Sequence, residues 1–366
     1  MNPYRFNFSA GPGALPASVL HILQESIHCV PELGLSVLGV SHRSDWFAAV
    51  VAETEANIRS LLNLPADYHV LLLQGGSSLQ FSMIPMLLLR GRKQAAEYID
   101  TGYWSAKAIP EARLEGPVNV LWSGKTDGYT RLPQADELKC SEQASYLHYI
   151  SNETVEGLQF NYLPGHNSVP RICDMSSDFL SRPFDATQFA LMYAHSQKNL
   201  GPAGVTLVVL NDALLAQAPD DLHTILDYRP HAKAHSIYNT PPVFAIYALM
   251  LVTRWLLNDI GGVANMAALN AQKAHLLYQV LDANDGFYLP RAHTPDRSFM
   301  NVVFNLPNKM LEQQFIQAAD AAGLYGLAGH RTLGGVRVSL YNGVTLEAVY
   351  ALCNFMQSFQ NSHVKR

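Results

Sequence analysis

One lysine of the chain stands in a setting that suits covalent chemistry. Lys198 follows an apolar run that ends at Tyr193, and it precedes a loop rich in glycine and proline at residues 201–204. Most lysines are solvated surface charges. A lysine held at the edge of a buried sheet can have a lowered pKa, and its neutral amine then forms imines with carbonyl groups. The pattern therefore predicts an amine nucleophile at Lys198.

Three other features follow predicted strands in the same way. Asp174 ends one strand, Trp104 comes soon after a second, and residues 75–78 (GGSS) open a helix after a third. Each has an ordinary explanation, as a helix N-cap, a core aromatic or a plain turn. Each also has a chemical one. An Asp can hold a proton on a ring nitrogen, a Trp can stack on a flat ring, and glycines at a helix N-terminus admit a phosphate.

Taken together, these features match one cofactor. Pyridoxal phosphate needs a lysine for the imine, an acid for its pyridine nitrogen, an aromatic against the ring and a phosphate cradle. Lys198, Asp174, Trp104 and residues 75–78 supply all four. Ligands of open α/β sheets bind beyond the carboxyl ends of the strands, so we expect the four features at one sheet edge.

The elements that must position these groups alternate between strands and helices. Seven short runs are predicted to be strands, and most of them are apolar without polar alternation, as expected for strands buried on both faces. They are residues 69–73, 97–99, 118–122, 145–150, 171–174, 190–193 and 205–210. Helix-like segments such as 78–89 and 105–114 separate them. The pattern predicts an α/β fold with a mainly parallel seven-stranded sheet.

After Gly261-Gly262 the pattern changes to that of a smaller α+β C-terminal domain. Two helices and two strands are expected there, at 263–281, 311–322, 300–306 and 336–340. We predict an N-terminal arm over 1–15, a large cofactor-binding domain over 16–260 and a small domain over 261–366. The most apolar stretch, 244–257, is too short to cross a bilayer and predicts a buried helix.

Composition narrows the class of protein. The 366 residues include 25 Lys+Arg against 30 Asp+Glu, a net charge of -5, which argues against nucleic-acid binding. The four cysteines are far apart and form no CxxC pair, so neither a metal site nor a disulfide framework is expected. Residues 1–13 contain no apolar run typical of a signal peptide. We expect a cytoplasmic protein that binds no metal, nucleic acid or membrane.

Short motifs run in order along nearly the whole chain. They are residues 6–12 (FNFSAGP), 41–43 (SHR), 102–104 (GYW), 152–154 (NET), 197–199 (QKN), 201–204 (GPAG), 239–242 (NTPP), 329–331 (GHR) and 334–337 (GGVR). In these motifs the sequence resembles the phosphoserine aminotransferases, class-V, fold-type-I pyridoxal-phosphate enzymes. The resemblance implies that Lys198 forms the imine, Asp174 pairs with the pyridine nitrogen, Trp104 stacks on the ring and Thr154 bonds its phenolic oxygen.

The resemblance also implies the rest of the site. The implied ligands of the cofactor phosphate are Gly76, Ser77, Ser78 and Gln197, joined from the other subunit of a homodimer by Asn239 and Thr240. The implied substrate-binding residues are His42, Arg43, His330 and Arg331 for a phosphate and Arg337 for the α-carboxylate.

The implied reaction is reversible amino transfer between L-glutamate and 3-phosphohydroxypyruvate. It gives O-phospho-L-serine and 2-oxoglutarate in serine biosynthesis, and bacterial relatives suggest a second role with 4-phosphohydroxy-L-threonine in pyridoxine biosynthesis. One alternative is another enzyme of the same fold, such as a cysteine desulfurase, which needs an exposed mobile cysteine; only Cys140 is expected to be exposed. A second is a non-catalytic cofactor-binding protein, against which the intact Lys198, Asp174 and Arg337 argue.

Two positions depart from the family pattern. His195-Ser196 stand before Gln197-Lys198 where the family usually has Gly-Ala. The His195 ring either points into tolerant space or alters the cofactor site and its pH profile. Ser78 stands where some bacterial members have an arginine, which removes one possible substrate contact.

Overall fold

The computed structural model describes residues 5–283 and 285–363, and within them ten α-helices and fourteen strands. The helices are α1 (Ala17–His28), α2 (Asp45–Leu62), α3 (Gly76–Leu88), α4 (Tyr103–Glu115), α5 (Asp212–Leu215), α6 (Tyr228–Lys233), α7 (Val243–Asn258), α8 (Val263–Asp282), α9 (Lys309–Ala321) and α10 (Leu346–His363). The strands are β1 (Phe6–Asn7), β2 (Tyr68–Leu73), β3 (Ala96–Asp100), β4 (Val118–Ser123), β5 (Leu147–Ile150), β6 (Asn152–Glu153), β7 (Leu158–Gln159), β8 (Arg171–Asp174), β9 (Leu191–His195), β10 (Thr206–Asn211), β11 (Leu289–Pro290), β12 (Asn301–Asn305), β13 (Leu324–Tyr325) and β14 (Val336–Ser339).

A seven-stranded sheet forms the centre of the fold, in the order β2-β10-β9-β8-β5-β3-β4. These strands are the seven short runs of the sequence. β10 runs antiparallel to both of its neighbours, and the other described pairs are parallel. β5 and β8 are buried along their whole length, which explains why their sequences do not alternate. The predicted α/β fold with a mainly parallel sheet is confirmed.

Helices cover both faces of this sheet. One face packs against α2 and α7 in a large apolar core, and the other packs against α3 and α4. α7 is buried along most of its length, as expected for stretch 244–257. In the described residues, no single helix has the length and apolarity to span a membrane, and only α7 and α8 taken together, bent by 89° at the break between them, pass that test.

A second core lies in the C-terminal region. The antiparallel sheet β11-β12-β14 packs with α9 and α10 around Phe304 and Phe315. α8 joins the two cores, because Val263 and Met266 pack in the first and Leu277 in the second. The division into domains at residue 261 stays a prediction.

The N-terminal arm binds to the C-terminal region. β1 pairs in parallel with β13, and Phe8 is fully buried in the second core. The Gly13 amide then donates a 2.8 Å hydrogen bond to the carbonyl of Gln197, next to Lys198. The arm therefore contacts both the second core and the predicted catalytic loop.

The register of the central sheet brings several strand ends together. Ile150 is paired with Asp174, Asp174 with Tyr193, and His195 with Thr206 across the sheet. Thr206 also pairs with Leu73, the last residue of β2. The residues that follow these strands therefore emerge at one edge, where a ligand site is expected.

Candidate active site

A cavity of about 270 Å³ lies at this edge of the sheet. Eight of the ten residues expected to bind the cofactor are in its wall: Gly76, Ser77, Ser78, Trp104, Thr154, Asp174, Gln197 and Lys198. The other six wall residues are Gly75, Ile150, Asn152, Ser176, Ser177 and His195. The structure thus gathers one amine, one carboxyl group, one indole and a glycine-rich helix start around a single space.

The Lys198 amine is buried at the floor of this cavity. Its side chain is 7% exposed, and Nζ donates a 2.7 Å hydrogen bond to Oγ1 of Thr154. Burial lowers the pKa of Lys198 to about 8; the nearby Asp174 opposes this shift and Arg337 adds to it. A larger share of neutral amine is therefore present near neutral pH than for a solvated lysine.

Asp174 supplies the buried carboxyl group. Its Oδ1 accepts a 2.8 Å hydrogen bond from the Ser176 amide. Burial raises the pKa of Asp174, while the hydrogen bonds from Ser176 and the charge of Lys198 oppose that shift. The Asx-type contact to the Ser176 amide also fits the ordinary turn role and fixes the orientation of the carboxyl group.

The start of α3 forms a cradle for an anion. Gly75 and Gly76 have φ values of +93° and +71°, which side chains rarely adopt, and a Cβ on Gly75 would lie 2.4 Å from Leu79. Backbone N–H groups of the first helical turn have no intrahelical partners and favour negative charge. Ser77 Oγ lies 2.7 Å from Ser176 Oγ, which joins the cradle to the strand of Asp174.

His195 lies in the cavity wall. A Cβ on Gly76 would be 3.0 Å from both Cδ2 and Nε2 of the His195 ring, so the ring edge rests against the first residue of α3. Nδ1 is buried without a hydrogen-bond partner among the described residues. Burial, and then the charge of Lys198, lowers the pKa of His195. The ring thus lines the cavity beside the start of α3, and its effect on the cofactor site stays a prediction.

Trp104 is held by its backbone and not by its indole N–H. Its amide donates a 3.2 Å hydrogen bond to Oε2 of Glu153. Nε1 is buried and has no partner in the described part of the chain. The indole packs edge-on against Tyr103, with ring centroids 5.2 Å apart. The Lys107 ammonium lies over the indole at 5.5 Å from its centroid, and the ring lines the cavity, where it can face a flat ligand.

These groups fit pyridoxal phosphate. The amine of Lys198 would hold its aldehyde carbon, Asp174 its ring nitrogen, Trp104 a ring face, and the start of α3 its phosphate. The cavity wall contains the partners that this molecule needs and no second acidic group at the cradle.

Two expected ligands lie outside the cavity wall. Asn239 and Thr240 are exposed. The Thr240 carbonyl accepts a 2.9 Å hydrogen bond from Gln74, the residue before the glycine pair. This contact places the segment near the cradle, but within one chain the two side chains do not line the described cavity.

The expected substrate groups divide into two sets. Arg337 is half-buried, and its charge acts on both Lys198 and His330. The His330 ring lies 4.6 Å from the ring of Tyr103, beside Trp104. Burial lowers the pKa of His330, followed by the charges of Arg337 and of Arg331. The structure therefore places His330 against Tyr103, the neighbour of Trp104, with the charges of Arg331 and Arg337 acting on its ring.

His42 and Arg43 form the other set. They precede α2 at the surface, and the Arg43 amide donates to Ser41 Oγ at 3.1 Å. Neither residue lines the described cavity, and Arg43 makes no ion pair with the residues that the structure describes. Within one chain, His42 and Arg43 therefore do not lie at the cavity that contains Lys198.

Comparison with known proteins decides the family. Residues 5–352 match the aminotransferase class-V family. The chain belongs to the class-V aminotransferases. Phosphoserine aminotransferase of Laribacter hongkongensis is 47% identical over 358 residues, 98% of this chain and 99% of the relative. That of Geobacillus kaustophilus is 48% identical over 355 residues, 97% of this chain and 98% of the relative.

Solved structures of class-V aminotransferases match as well. Phosphoserine aminotransferase from Bacillus circulans subsp. alkalophilus superposes with a TM-score of 0.95 at 44% identity, covering 98% of this chain and 99% of that one. The PLP-bound enzyme from Trichomonas vaginalis has a TM-score of 0.90 at 34% identity, covering 96% and 99%. The resemblance found in the motifs is confirmed.

The cysteines of this class-V aminotransferase do not suit a desulfurase. Cys173 and Cys353 are buried, Cys140 is partly buried and Cys29 is exposed. The expectation that only Cys140 is exposed is wrong for Cys29, because it lies just past the end of α1 and not inside the helix. None of the four lines the described cavity.

Sequence reasoning missed part of the site. Asn152, Ser176 and Ser177 line the cavity but received no role. Their position directly after β5 and β8 was the available signal, since every residue beyond these strand ends faces the same edge. Glu153 and Glu156 are buried against the first turn of α4. The motif 152–154 includes Glu153 but suggested no role for it, and no motif includes Glu156.

Proposed function

We propose that this class-V aminotransferase is a phosphoserine aminotransferase. It transfers an amino group reversibly between L-glutamate and 3-phosphohydroxypyruvate, giving O-phospho-L-serine and 2-oxoglutarate in serine biosynthesis. The observation that carries the proposal is the buried Lys198 amine opposite Asp174, in a chain that aligns nearly end to end with phosphoserine aminotransferases. A further role with 4-phosphohydroxy-L-threonine in pyridoxine biosynthesis stays a prediction.

The chain's own groups divide the work at the reacting atoms. Pyridoxal phosphate, when bound, supplies a carbonyl carbon for amino groups and a ring that accepts an electron pair. Asp174 would hold a proton at the ring nitrogen, since burial raises the pKa of its carboxyl group. Thr154 would donate to the phenolic oxygen, and the Trp104 indole would cover one ring face.

Lys198 moves the proton that the reaction requires. As a free amine, its Nζ would accept the proton from the substrate Cα. The same amine returns this proton in the following step, acting as base and then as acid. The pKa of about 8 suits both roles, because neither protonation state is strongly favoured near neutral pH.

Both substrates must use one pocket. L-Glutamate presents a side-chain carboxylate where the keto acid presents a phosphate, so the pocket needs cations that accept either. Arginine meets both anions with paired hydrogen bonds. Arg331 and His330 supply such groups from one chain, and Arg337 supplies the anchor for the α-carboxylate that both substrates share.

The proposed function is tested by the spectrum of the bound cofactor. L-Glutamate is expected to shift the visible absorbance of the holoenzyme, and 3-phosphohydroxypyruvate is expected to restore it. L-Serine is the matched control, since it lacks the phosphate and the second carboxylate. A spectrum that does not respond to glutamate at millimolar concentration would contradict amino transfer.

We also propose a cytoplasmic homodimer whose active sites are shared. The four cysteines are free, which suits a reducing compartment. The segments of Arg43 and Thr240 are exposed and lie outside the cavity wall of their own chain. Apolar side chains at the surface of the N-terminal region, such as Leu20 and Leu38, are 50% and 65% exposed and suit a self-association surface.

Shared sites predict complementation between two inactive chains. A Lys198→Ala chain lacks the amine. A chain with Asn239→Ala and Thr240→Ala lacks the two side chains that are proposed to contact the cofactor in the neighbouring subunit. Mixed dimers contain one site with both parts intact, so mixing is expected to restore part of the transaminase activity. Lys198→Ala mixed with itself is the control. Mixed dimers that are verified by mass and still inactive would count against shared sites.

A further inference from the structure

Two buried glutamates face the first turn of α4, the helix that carries Trp104. Glu153 and Glu156 are 1% and 2% exposed. The Tyr103 amide donates to Oε1 of Glu156 at 3.0 Å. The Trp104 amide donates to Oε2 of Glu153 at 3.2 Å, and the Ser105 amide to Oε1 of Glu153 at 3.0 Å. Three successive N–H groups without intrahelical partners are thus satisfied by two carboxyl groups.

The two carboxyl groups crowd against one glycine. A Cβ on Gly102 would lie 2.4 Å from Oε2 of Glu156 and 2.8 Å from Cδ of Glu153. Both carboxyl groups therefore have an atom within 2.8 Å of the position that a Gly102 Cβ would occupy. Oε2 of Glu156 is buried and has no hydrogen-bond partner among the described residues. Two carboxylates this close, away from water, cannot both be ionised without a large cost.

One proton resolves this conflict. Burial, and then the charge of Glu153, raises the pKa of Glu156 to about 9. Burial also raises the pKa of Glu153, but the hydrogen bonds from Ser105 and Trp104 oppose that shift. The proton is therefore favoured on Glu156, whose Oε2 accepts no hydrogen bond from the described residues. The remaining negative charge stays on Glu153, at the positive end of the helix.

Other charged groups surround the pair. Asp174 raises the pKa of Glu153, and Arg291 lowers the pKa of Glu156. The charge of Glu153 acts to raise the pKa of Lys198, and the charge of Glu156 acts to raise the pKa of Arg337. Tyr129 lies near Glu156, and Asp100 accepts a 3.3 Å hydrogen bond from the Ser105 hydroxyl. Three cations and two carboxylates thus surround the pair, and burial is still the largest cause of the raised pKa of both glutamates.

We propose that the Glu153–Glu156 pair, sharing one proton, positions the Trp104 indole at the cofactor cavity. The indole N–H has no partner of its own, so the place of the ring depends on the first turn of α4, which this pair holds. Glu153 also belongs to the short strand that precedes Thr154, and Thr154 Oγ1 contacts the Lys198 amine. Glu153 thus links the helix turn that carries the Trp104 indole to the strand whose next residue contacts the Lys198 amine. The inference rests on the proposed function only in placing Trp104 beside the cofactor ring.

The sign of the pH dependence follows from the raised pKa. Glu156 is protonated in the folded protein up to about pH 9, whereas it ionises near its ordinary value of 4.5 when unfolded. Its contribution to stability is fully present below pH 4.5 and is lost as the pH rises towards 9. Above that pH the pair carries two negative charges, and the first turn of α4 is expected to shift.

The test follows Trp104 directly by ¹⁹F NMR in protein labelled with 5-fluorotryptophan. Loss of one resonance in Trp104→Phe assigns the signal. In the holoenzyme without substrates, the Trp104 resonance is expected to move with a midpoint near pH 9. Glu156→Gln carries a permanent amide donor in place of the proton, so this midpoint is expected to disappear. Glu153→Gln removes the neighbouring charge, so the midpoint is expected to move to lower pH.

A matched control separates this effect from a general change of charge. Glu347 is an exposed acid in the first turn of α10, and Glu347→Gln is expected to titrate like the wild type. Repeating the titration on cofactor-free protein removes ionisation of the cofactor itself. A midpoint that survives unchanged in Glu156→Gln, or a wild-type signal that stays constant from about pH 6 to pH 10, would overturn the proposal. Failure of amino transfer would overturn the proposed function and leave this titration unaffected.

Discussion

Lys198→Ala is expected to remove both the covalent link to the cofactor and the catalytic proton carrier. The variant should lose the visible absorbance of the bound cofactor and yield no cofactor–protein adduct after borohydride reduction. Loss of proton transfer alone is expected to lower kcat by about 10²–10⁴-fold. Nζ of Lys198 contacts only Thr154 among the hydrogen bonds of the described residues, so the substitution leaves few groups unpaired.

Lys273 provides a demanding control for this experiment. It is also buried, and burial lowers its pKa to about 7. Its Nζ donates to the carbonyl oxygens of Leu340, Tyr341 and Val344 at 3.0, 2.9 and 3.1 Å. All three donors are thus occupied, and the amine lies outside the described cavity wall. Lys273→Met is therefore expected to lower the unfolding temperature but keep the cofactor adduct.

The comparison of these two lysines also shows that a lowered pKa alone does not identify the lysine that binds the cofactor. Both amines are perturbed by burial, yet only Lys198 faces a cavity and an acid. A borohydride-stable adduct in Lys198→Ala would show that another lysine holds the cofactor. Peptide mapping of that adduct would identify the residue.

Much of the fold could be predicted because the sheet, apart from its edge strand β4, is largely buried on both faces. Continuous apolar runs such as 70–73 in β2 and 207–210 in β10 have few other places to lie in a protein of this size. Once the strands are parallel, their carboxyl ends must share one edge. Residues as distant in sequence as Gly76 and Lys198 are then brought into one cavity without any knowledge of side-chain packing.

The parts of the site that could not be predicted depend on contacts between residues that are far apart in the sequence. Glu153 and Glu156 look like ordinary surface acids in sequence, and only the approach of α4 buries them. Arg43 and Thr240 are exposed and lie outside the cavity of their own chain. Under the proposed shared site they would act in the neighbouring chain, which for Thr240 only the family resemblance implied. Packing and assembly, not secondary structure, limited the prediction of the site.

The phosphate pocket makes the second large prediction. Arg43→Ala and Arg331→Ala are each expected to lower kcat/KM for phosphoserine about 10–100-fold. A hydrogen-bonded charged contact contributes about 1.5–3 kcal/mol, and about 1.4 kcal/mol corresponds to tenfold. The cofactor spectrum should stay normal, because neither side chain lines the described cavity wall. Glutamate should be affected less, since a carboxylate carries less charge than a phosphate.

Arg337→Ala should behave differently from both pocket variants. Arg337 is half-buried near Lys198, and both substrates present an α-carboxylate to it. We therefore expect kcat/KM to fall for phosphoserine and glutamate alike. Arg113, exposed in the last turn of α4, supplies the matched control, and Arg113→Ala should leave both values near those of the wild type.

The decisive measurement is the ratio of kcat/KM for phosphoserine to that for glutamate in each variant. A pocket that recognises phosphate lowers this ratio in Arg43→Ala and Arg331→Ala and leaves it nearly constant in Arg337→Ala. Under the proposed arrangement, Arg43 acts in the site of the neighbouring chain. Adding Arg43→Ala to the Lys198→Ala chain of the mixed dimers should therefore also lower their restored activity. An unchanged phosphoserine kcat/KM in both pocket variants, or equal wild-type activity with serine and phosphoserine, would remove the phosphate pocket. The chain would then be a class-V aminotransferase that selects its substrate through Arg337 alone.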